Sequence, residues 1–590
     1  MEQTLLAPSA KLERLKRERD GHQQAKINFN NQYAALSQYF YQIKQSFNPY
    51  TPQVVQGDFE NDGAINDNIG SKCATAMASA IMGMVWKNEA GTFRFVPSKA
   101  VTLNEQSKAY FGRINADTAM FFERPKSRFV SSLFKTILES VIYGTSGMIV
   151  QSGGYANPLK FYNKSVLSFY IGYDKEGEIN AIFIDYNISA QELYDKYGAL
   201  AGSSVQQAIS ANNINQRFVV TEAIKPRRGA KAEKGKLAMP FSSDMFMPLE
   251  NIYLEEGGYE SLPLKVLFYD KLEYEAYGRG KGMEALPTVV QANICTEILA
   301  VGGELTAQPA MGMYDNGSLA GLAVDFSAGA LNVFNVAGTI PTEKPIFPLF
   351  TVGDLRVMAE WLGVLKGEIK EYFLLDKLYD LNQQQRMTLG EAMIREAIRS
   401  DSLTPVFTQI LAFLEDVLSR AVDIMFGMGL MGVKDPNDTN DPLVQALLSN
   451  GFEPFAIPKD VLTVQMSGLD WYDIEFINPA SRIMNTEELQ STLKFIEIMG
   501  TLGGVSPDFI DVIDPDGTAE KLKELTATDT VVTRTMDERK RIRDARAEMQ
   551  GQLAMLEAQL KQAQANQMNS QAAASQSNAV KSMSDSGGVM

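Results

Sequence analysis

The residues best placed to do chemistry in this chain are Tyr277-Gly278-Arg279-Gly280-Lys281-Gly282-Met283-Glu284-Ala285-Leu286-Pro287. Gly280-x-Gly282-x-x-Ala285 fits a relaxed dinucleotide fingerprint, whose glycines let a turn approach a pyrophosphate at a helix N-terminus. That chemistry needs a strand running straight into the turn. The strand candidate VLFYD ends about ten residues before the glycines, too early for a tight strand-to-helix turn. A glycine hinge feeding a helix explains the same residues.

The remaining inventory is poor for an enzyme. The single histidine, His22, lies in a polar N-terminal stretch. Elsewhere there is no histidine for a metal site, a Ser-His triad or acid–base work at neutral pH. Two cysteines, Cys73 and Cys295, exclude a disulfide framework and fit a reducing compartment. No G-x-x-x-x-G-K-[ST] phosphate loop occurs, nor a dense Asp/Glu cluster at loop spacing. Neither a metal nor a cofactor is expected. The basic run from Lys225 to Lys236 has no interleaved aromatics for base stacking, so it reads as an exposed hairpin tip. A net charge of −16 argues against a protein that wraps nucleic acid with a basic face.

The elements that would position these residues follow from periodicity. A chain of 590 residues exceeds one core, so several domains are expected. With 45% apolar and 21% charged residues it has a soluble globular composition. No stretch reads as a membrane span, and the N-terminus lacks the apolar core of a signal peptide. The fold class is α+β, mostly helical. Residues 1–45 read as a charged helix, 69–82 as a helix of small residues, and 93–97 as a short strand. Residues 127–143 form an amphipathic helix stopped by Gly144-Thr145-Ser146-Gly147. From Met148 to Phe268 the period changes to two, as in a mainly antiparallel sheet. Pro287 suits the first turn of a helix over 285–306. A small β-rich insertion follows at 307–350, and a second long helix at 351–379.

In that second helix Leu355, Met358, Leu362, Leu365, Ile369 and Tyr372 make one apolar stripe. Gly363 and Gly367, four residues apart, would let a neighbouring backbone come close. The stripe gives way to Asn382-Gln383-Gln384-Gln385-Arg386, which offers a core nothing to bury. Thr388 and Glu391 then fit a capping box that starts the next helix. Pro405 should kink that helix. Residues 434–480 read as loop and strand, including LTVQMSG and YDIEFINP. Beyond Asn485 the chain is helical, with Met549, Leu553, Leu556 and Leu560 at heptad spacing. The low-complexity stretch after Lys561 reads as mobile.

Several segments, in order, resemble one family: the portal, or head-to-tail connecting, proteins of short-tailed bacteriophages. YGRGKGMEALPTVVQAN is similar to that family's Y-G-R-x-x-G-M-x-A-L-P helix start. MTLGEAMIREAIRSDSLTPVFTQI is similar to its M-T-A-T-E helix followed by L-x-P-V-F. The Ile69–Trp86 helix with Thr92-Phe93-Arg94-Phe95, and Phe134–Val150 with its Tyr143–Met148 turn, fall in the family's order. Leu389-Gly390 departs from the usual Ala-Thr, and Phe93-Arg94-Phe95 from Trp-Phe.

The resemblance implies a non-enzymatic ring of twelve subunits at one capsid vertex of the virion, assembled in the host cytoplasm. Its regions would be a wing (1–284 and 388–487), two stem helices (285–306 and 351–379) and a clip (307–350). A tunnel loop (380–387), a crown (488–560) and a flexible tail (561–590) complete it. Asn382, Gln383, Gln384, Gln385 and Arg386 would face a channel for double-stranded DNA. Leu355, Met358, Leu362, Gly363, Leu365, Gly367 and Ile369 would pack the stem. Implied partners are the terminase large subunit, the tail adaptor or head-completion protein, and the major capsid and scaffolding or internal core proteins; no membrane is implied. Another virion structural protein, such as a tail adaptor or internal core protein, is the alternative. A nucleotide-binding enzyme using Gly278–Gly282 is the remote one.

Overall fold

A computed structural model describes residues 8–41, 66–86, 92–101, 104–227, 235–315, 325–335, 346–349, 353–378, 389–478, 481, 486–503, 515–526 and 536–585. The chain divides into two bodies, Met1–Lys494 and Phe495–Met590. The architecture is α+β and mostly helical.

The first body opens with α1 (Pro8–Leu36), a helix too charged to be held by apolar burial alone. Polar contacts add to the burial of Leu12, Leu15, Tyr33 and Leu36. Arg19 meets Asp185 at 2.7 Å, Glu18 meets Lys225 at 2.5 Å, and Lys26 donates to the carbonyls of Val166 and Phe169. Burial pulls the Lys26 ammonium down to about 7. Next come α2 (Ile69–Val85), β1 (Phe93–Pro97), α3 (Glu105–Glu123) and α4 (Phe129–Tyr143). The small residues of α2, Gly70, Cys73, Ala74 and Ala78, are buried and let it lie close to α4.

The sheet region comprises β2 (Thr145–Ser152), β3 (Leu159–Ser165), β4 (Phe169–Tyr173) and β5 (Ile179–Ser189). Two short helices, α5 (Ala190–Tyr197) and α6 (Ser203–Ser210), precede β6 (Arg217–Pro226), β7 (Phe241–Met247), β8 (Ile252–Tyr259) and β9 (Leu264–Phe268). Every pairing among these strands is antiparallel, in a three-stranded sheet β3-β2-β9 and a five-stranded sheet β4-β5-β6-β7-β8. Ser189 caps α5 in a reciprocal capping box with Glu192. The core between helices and sheet is aromatic, with Phe129 ringed by Trp86, Phe122 and Phe161 at centroid separations of 4.5, 4.7 and 4.9 Å.

The long helix α7 (Lys281–Ala307) leads to β10 (Met311–Asp315), β11 (Leu331–Asn335) and β12 (Ile346–Pro348). These form a small sheet, β10 pairing parallel with β11 and antiparallel with β12. The chain returns along α8 (Arg356–Tyr372) and a one-turn α9 (Leu375–Leu378). The 39-residue α10 (Leu389–Gly427) buries Phe407, Ile410, Leu414, Val417 and Ala421. Then follow α11 (Pro442–Ser449), α12 (Lys459–Met466) and β13 (Tyr472–Phe476), which pairs antiparallel with β1. α13 (Thr486–Gly503) spans the division between bodies, and the second body continues with α14 (Pro515–Thr526) and α15 (Met536–Asp585).

Several expectations need correction. Pro287 is not in a first turn: α7 starts six residues earlier, at Lys281, and Pro287 lies inside it. The second long helix is not continuous over 351–379. It stops at Tyr372, where Leu374 takes a left-handed φ of 51° while its neighbours Phe373 and Leu375 are buried. A leucine there costs about 1–2 kcal/mol, and the flanking burial holds it in place. LTVQMSG alternates like a strand, but Leu462–Met466 ends α12; Pro458 and Asp460 supply a helix start. The segment after Lys561 is helical to Asp585, because Ala, Gln, Met and Ser fill it with no Gly or Pro from 552 to 585. α7 is also long and apolar enough to cross a membrane by length and composition alone. It nevertheless carries Asn293, Thr296 and Glu297 mid-helix, and packs along α8.

A half-buried acid makes stability depend on pH. Glu139 of α4 accepts from Ser146 Oγ of β2 at 3.1 Å. Burial raises its carboxyl to about 7, against hydrogen bonds from Ser146, Asn163 and Ser165. An unfolded carboxyl titrates near 4.5, so the unfolded chain loses this proton first and stability falls as pH rises from there to about 7. Glu139→Gln removes that fall. Its stabilisation should be near zero at pH 4.5 and reach at most about 3 kcal/mol above pH 7, read as a gap in melting temperature that widens across that window and then stays flat.

Candidate functional site: a two-helix stalk and its glycine anchor

The glycines singled out by the sequence meet the chain's own backbone. Gly144 ends α4 with φ 81°, a conformation that favours glycine. A Cβ on Gly280 would lie 2.6 Å from both Gly144 N and Val141 O, and one on Gly282 would lie 2.6 Å from Ile142 O. A Cβ on Gly144 would come within 2.3 Å of Gly278 O. The Gly278 amide donates to Thr145 Oγ1 at 2.8 Å, and Arg279 N to Asp270 O at 2.6 Å. The space that a pyrophosphate would need is filled by the α4–β2 corner. Around this contact Tyr277 is buried against Phe29, Arg279 pairs with Glu275, and Lys281 pairs with Glu284 at 2.7 Å. This anchor sets where α7 begins.

From the anchor α7 runs alongside α8. Leu365 and Ile369 are buried, and Leu355, Met358 and Leu362 are half-buried on the same stripe. Leu355 lies against Gly302, where a Cβ would be 2.8 Å from Leu355 Cδ2. Tyr372 does not complete the stripe: it is exposed, and Phe373 is buried in its place. The shift follows from 3.6 residues per turn, which carries a 365, 369, 373 line inward. A polar tie fixes the pair to α2. Asp67 accepts from Lys366 of α8 at 2.7 Å, from Thr296 of α7 at 3.1 Å and from Ile69 N of α2 at 2.9 Å. Asn293 of α7 accepts from the amides of Asn66 and Asp67 at 2.6 and 3.1 Å. Burial alone would raise the Asp67 carboxyl; the hydrogen bonds from Lys366, Ile69 and Thr296 outweigh it and hold the group below its usual range.

Gly363 and Gly367 sit on the exposed side of α8, where an added Cβ meets nothing within 4 Å. Asn382, Gln383, Gln384, Gln385, Arg386 and Thr388 lie outside the described residues, as does the side chain of Glu391 in the first turn of α10. The basic run is partly accounted for: Lys225 pairs with Glu18 and Arg227 with Glu256 at 2.5 Å. The sequence places Ile294 and Ile298 on a four-residue stripe with Leu286 and Val290, whereas a second apolar stripe on α8 escaped sequence reasoning. Ile294, Ile298 and Val301 are about half exposed on α7, as are Val357, Trp361 and Val364 on α8. Both repeat at spacings of four and three, a signal masked on α8 by the stripe beside it.

The family profile described as bacteriophage head to tail connecting protein matches residues 11–533. The chain belongs to that family. Among known proteins, a probable portal protein of Bordetella phage BPP-1 is 21% identical over 471 residues, 79% of this chain and 79% of that one. Among solved structures, a chain of the virion of a native gene transfer agent particle matches with a TM-score of 0.30 at 11% identity. That match covers 69% of this chain and 91% of the other. The family is structural, and a head-to-tail connector is a virion component at the head–tail junction that meets capsid and tail proteins.

The anchor makes a direct prediction. Gly280→Ala puts a methyl group into backbone atoms that cannot step aside, and should cost about 2–3 kcal/mol. A clear drop in melting temperature is expected. An unchanged value would mean that the corner relaxes freely.

Proposed function

We propose that this connector is a portal protein: a ring of twelve copies at one capsid vertex, forming the channel through which double-stranded DNA is packaged and ejected. The observation that carries the reading is the pair of unpartnered stripes on α7 and α8. A helix pair that already buries one face against itself, yet exposes Ile294, Ile298 and Val301 beside Val357, Trp361 and Val364, has apolar surface to cover. A neighbouring copy in a ring covers α7 of one subunit with α8 of the next, a heterologous contact that closes on itself. The exposed Gly363 and Gly367 fit the close approach of such a neighbour. The number twelve comes from the family resemblance.

In this reading α7 and α8 are the stem, the β10–β12 sheet is the clip that docks the terminase large subunit and later the tail adaptor, and 1–284 with 388–487 is the wing. The helices from 488 form the crown, near the major capsid and scaffolding or internal core proteins. Asn382–Arg386 is the tunnel loop. The acidic balance suits a conduit: DNA phosphates are repelled by a net charge of −16 repeated in every copy, and a channel that does not grip phosphate lets any sequence slide.

Two measurements test this. Trp361→Glu places a charge on the stripe without entering the core, so the chain should keep its melting profile and lose its rings in negative-stain images; rings as abundant as wild type would sink the stem assignment. Replacing Gln383, Gln384 and Gln385 by alanine should leave rings intact while genome filling falls, and normal filling would remove the loop from the channel.

A further inference from the structure

α15 is a 50-residue helix on which every residue from Glu548 to Ser577 is exposed. Helices in water draw most of their stability from packing an apolar face, and this one has such a face uncovered. Met549, Leu553, Leu556 and Leu560 follow one another at steps of four, three and four, each 56–64% exposed. A 3.5-residue repeat stays on one line only when its helix winds around another helix, so the period itself specifies a helical partner.

The seam is narrow. Gln550, Glu557 and Gln564 flank it on one side and Gln552, Gln559 and Asn566 on the other, which leaves a single apolar line. Met555 and Met568 lie off it as single residues. Arg546 takes the seam position before Met549, and Gln567 the one after Ala563, so the apolar stretch is bounded at 549–563.

Its charge is equally specific. Between Met549 and Val580 the only ionisable side chains are Glu557 and Lys561, spaced and ordered to pair within one helix. In a chain of net charge −16 this stretch has no net charge. It offers nothing to an oppositely charged partner and no cluster of cations to DNA phosphates. The partner that fits is a neutral helix with an equally narrow seam, and α15 of a second copy is one. Set parallel and in register, the Gln550, Glu557 and Gln564 flank of one helix faces the Gln552, Gln559 and Asn566 flank of the other. No like charges then oppose each other, and every amide meets a group it can bond. Set antiparallel, each flank meets its own kind, which brings the Glu557 flank against another Glu557. The rotational symmetry of a ring also keeps every copy's α15 pointing one way. We infer that residues 549–563 of α15 form a parallel, in-register coiled coil with the same residues of a second copy.

A seam this short does not hold separate chains together; it rests on the ring reading above, in which neighbours are held at high local concentration. Met549→Cys puts a thiol on the seam, and Ala558→Cys puts one on the opposite side of the same helix; the native Cys73 and Cys295 are buried. On mild oxidation of the full chain, Met549→Cys should give a disulfide-linked dimer on a non-reducing gel and Ala558→Cys none. Adding Leu556→Glu to Met549→Cys should cut the dimer by about tenfold, because it sets two carboxylates against each other in the seam. Rings in mass photometry without the Met549→Cys dimer overturn this contact and leave the ring reading standing. An equal yield of dimer from Ala558→Cys, or a dimer that survives Leu556→Glu, also overturns the contact. A wild-type chain that stays monomeric overturns both readings.

Discussion

The stalk depends on how closely two backbones approach at Gly144. There the end of α4 touches the segment entering α7, with carbonyls and amides where side chains would otherwise stand. The contact sets the origin of a 27-residue helix, and that helix in turn carries α8 and the small sheet at its far end. A shift at the corner is carried along the whole length of α7, about 40 Å at 1.5 Å per residue. Steric exclusion accounts for the glycine pattern, with no ligand needed.

The stalk is then secured by a few polar contacts of exact partnership rather than by apolar area alone. Asp67 bridges three helices at once, and Asn293 holds the strand of chain that leads into α2. Similar economy governs α1, whose Arg19 pairs with Asp185 and whose Lys26 is fully enclosed. Buried charges of this kind add little net stability, because desolvation consumes most of the attraction. They do define one docking position, since any slip strands a charge without its partner. That leaves the apolar faces of α7 and α8 free for another task, which is why their exposed stripes carry the functional reading.

Much of the fold was legible because it is local. The stripe from Leu355 to Ile369, the stop at Gly144 and the period-two segments of β2 to β9 are patterns of neighbouring residues, and the elements follow them. Misreadings came where a short pattern had two solutions. Leu462–Met466 alternates like a strand but is helical, and Tyr372 fits the stripe by spacing yet gives way to Phe373 when the helix ends. The pairing of β1 with β13, Phe93 opposite Phe476, joins segments some 380 residues apart and leaves no local trace.

By itself the sequence determined the α+β class, the two long helices around a β insertion, the poverty of catalytic groups and the ordered motifs that resemble one family. It could do so because side-chain periodicity and residue inventory do not depend on what lies across the fold. Only the tertiary structure decided what the glycines from 278 to 282 are for. A missing Cβ permits close approach by a phosphate and by a carbonyl alike, and nothing in the motif distinguishes them. The distinction lies in Gly144, more than 130 residues upstream, whose backbone already occupies the space.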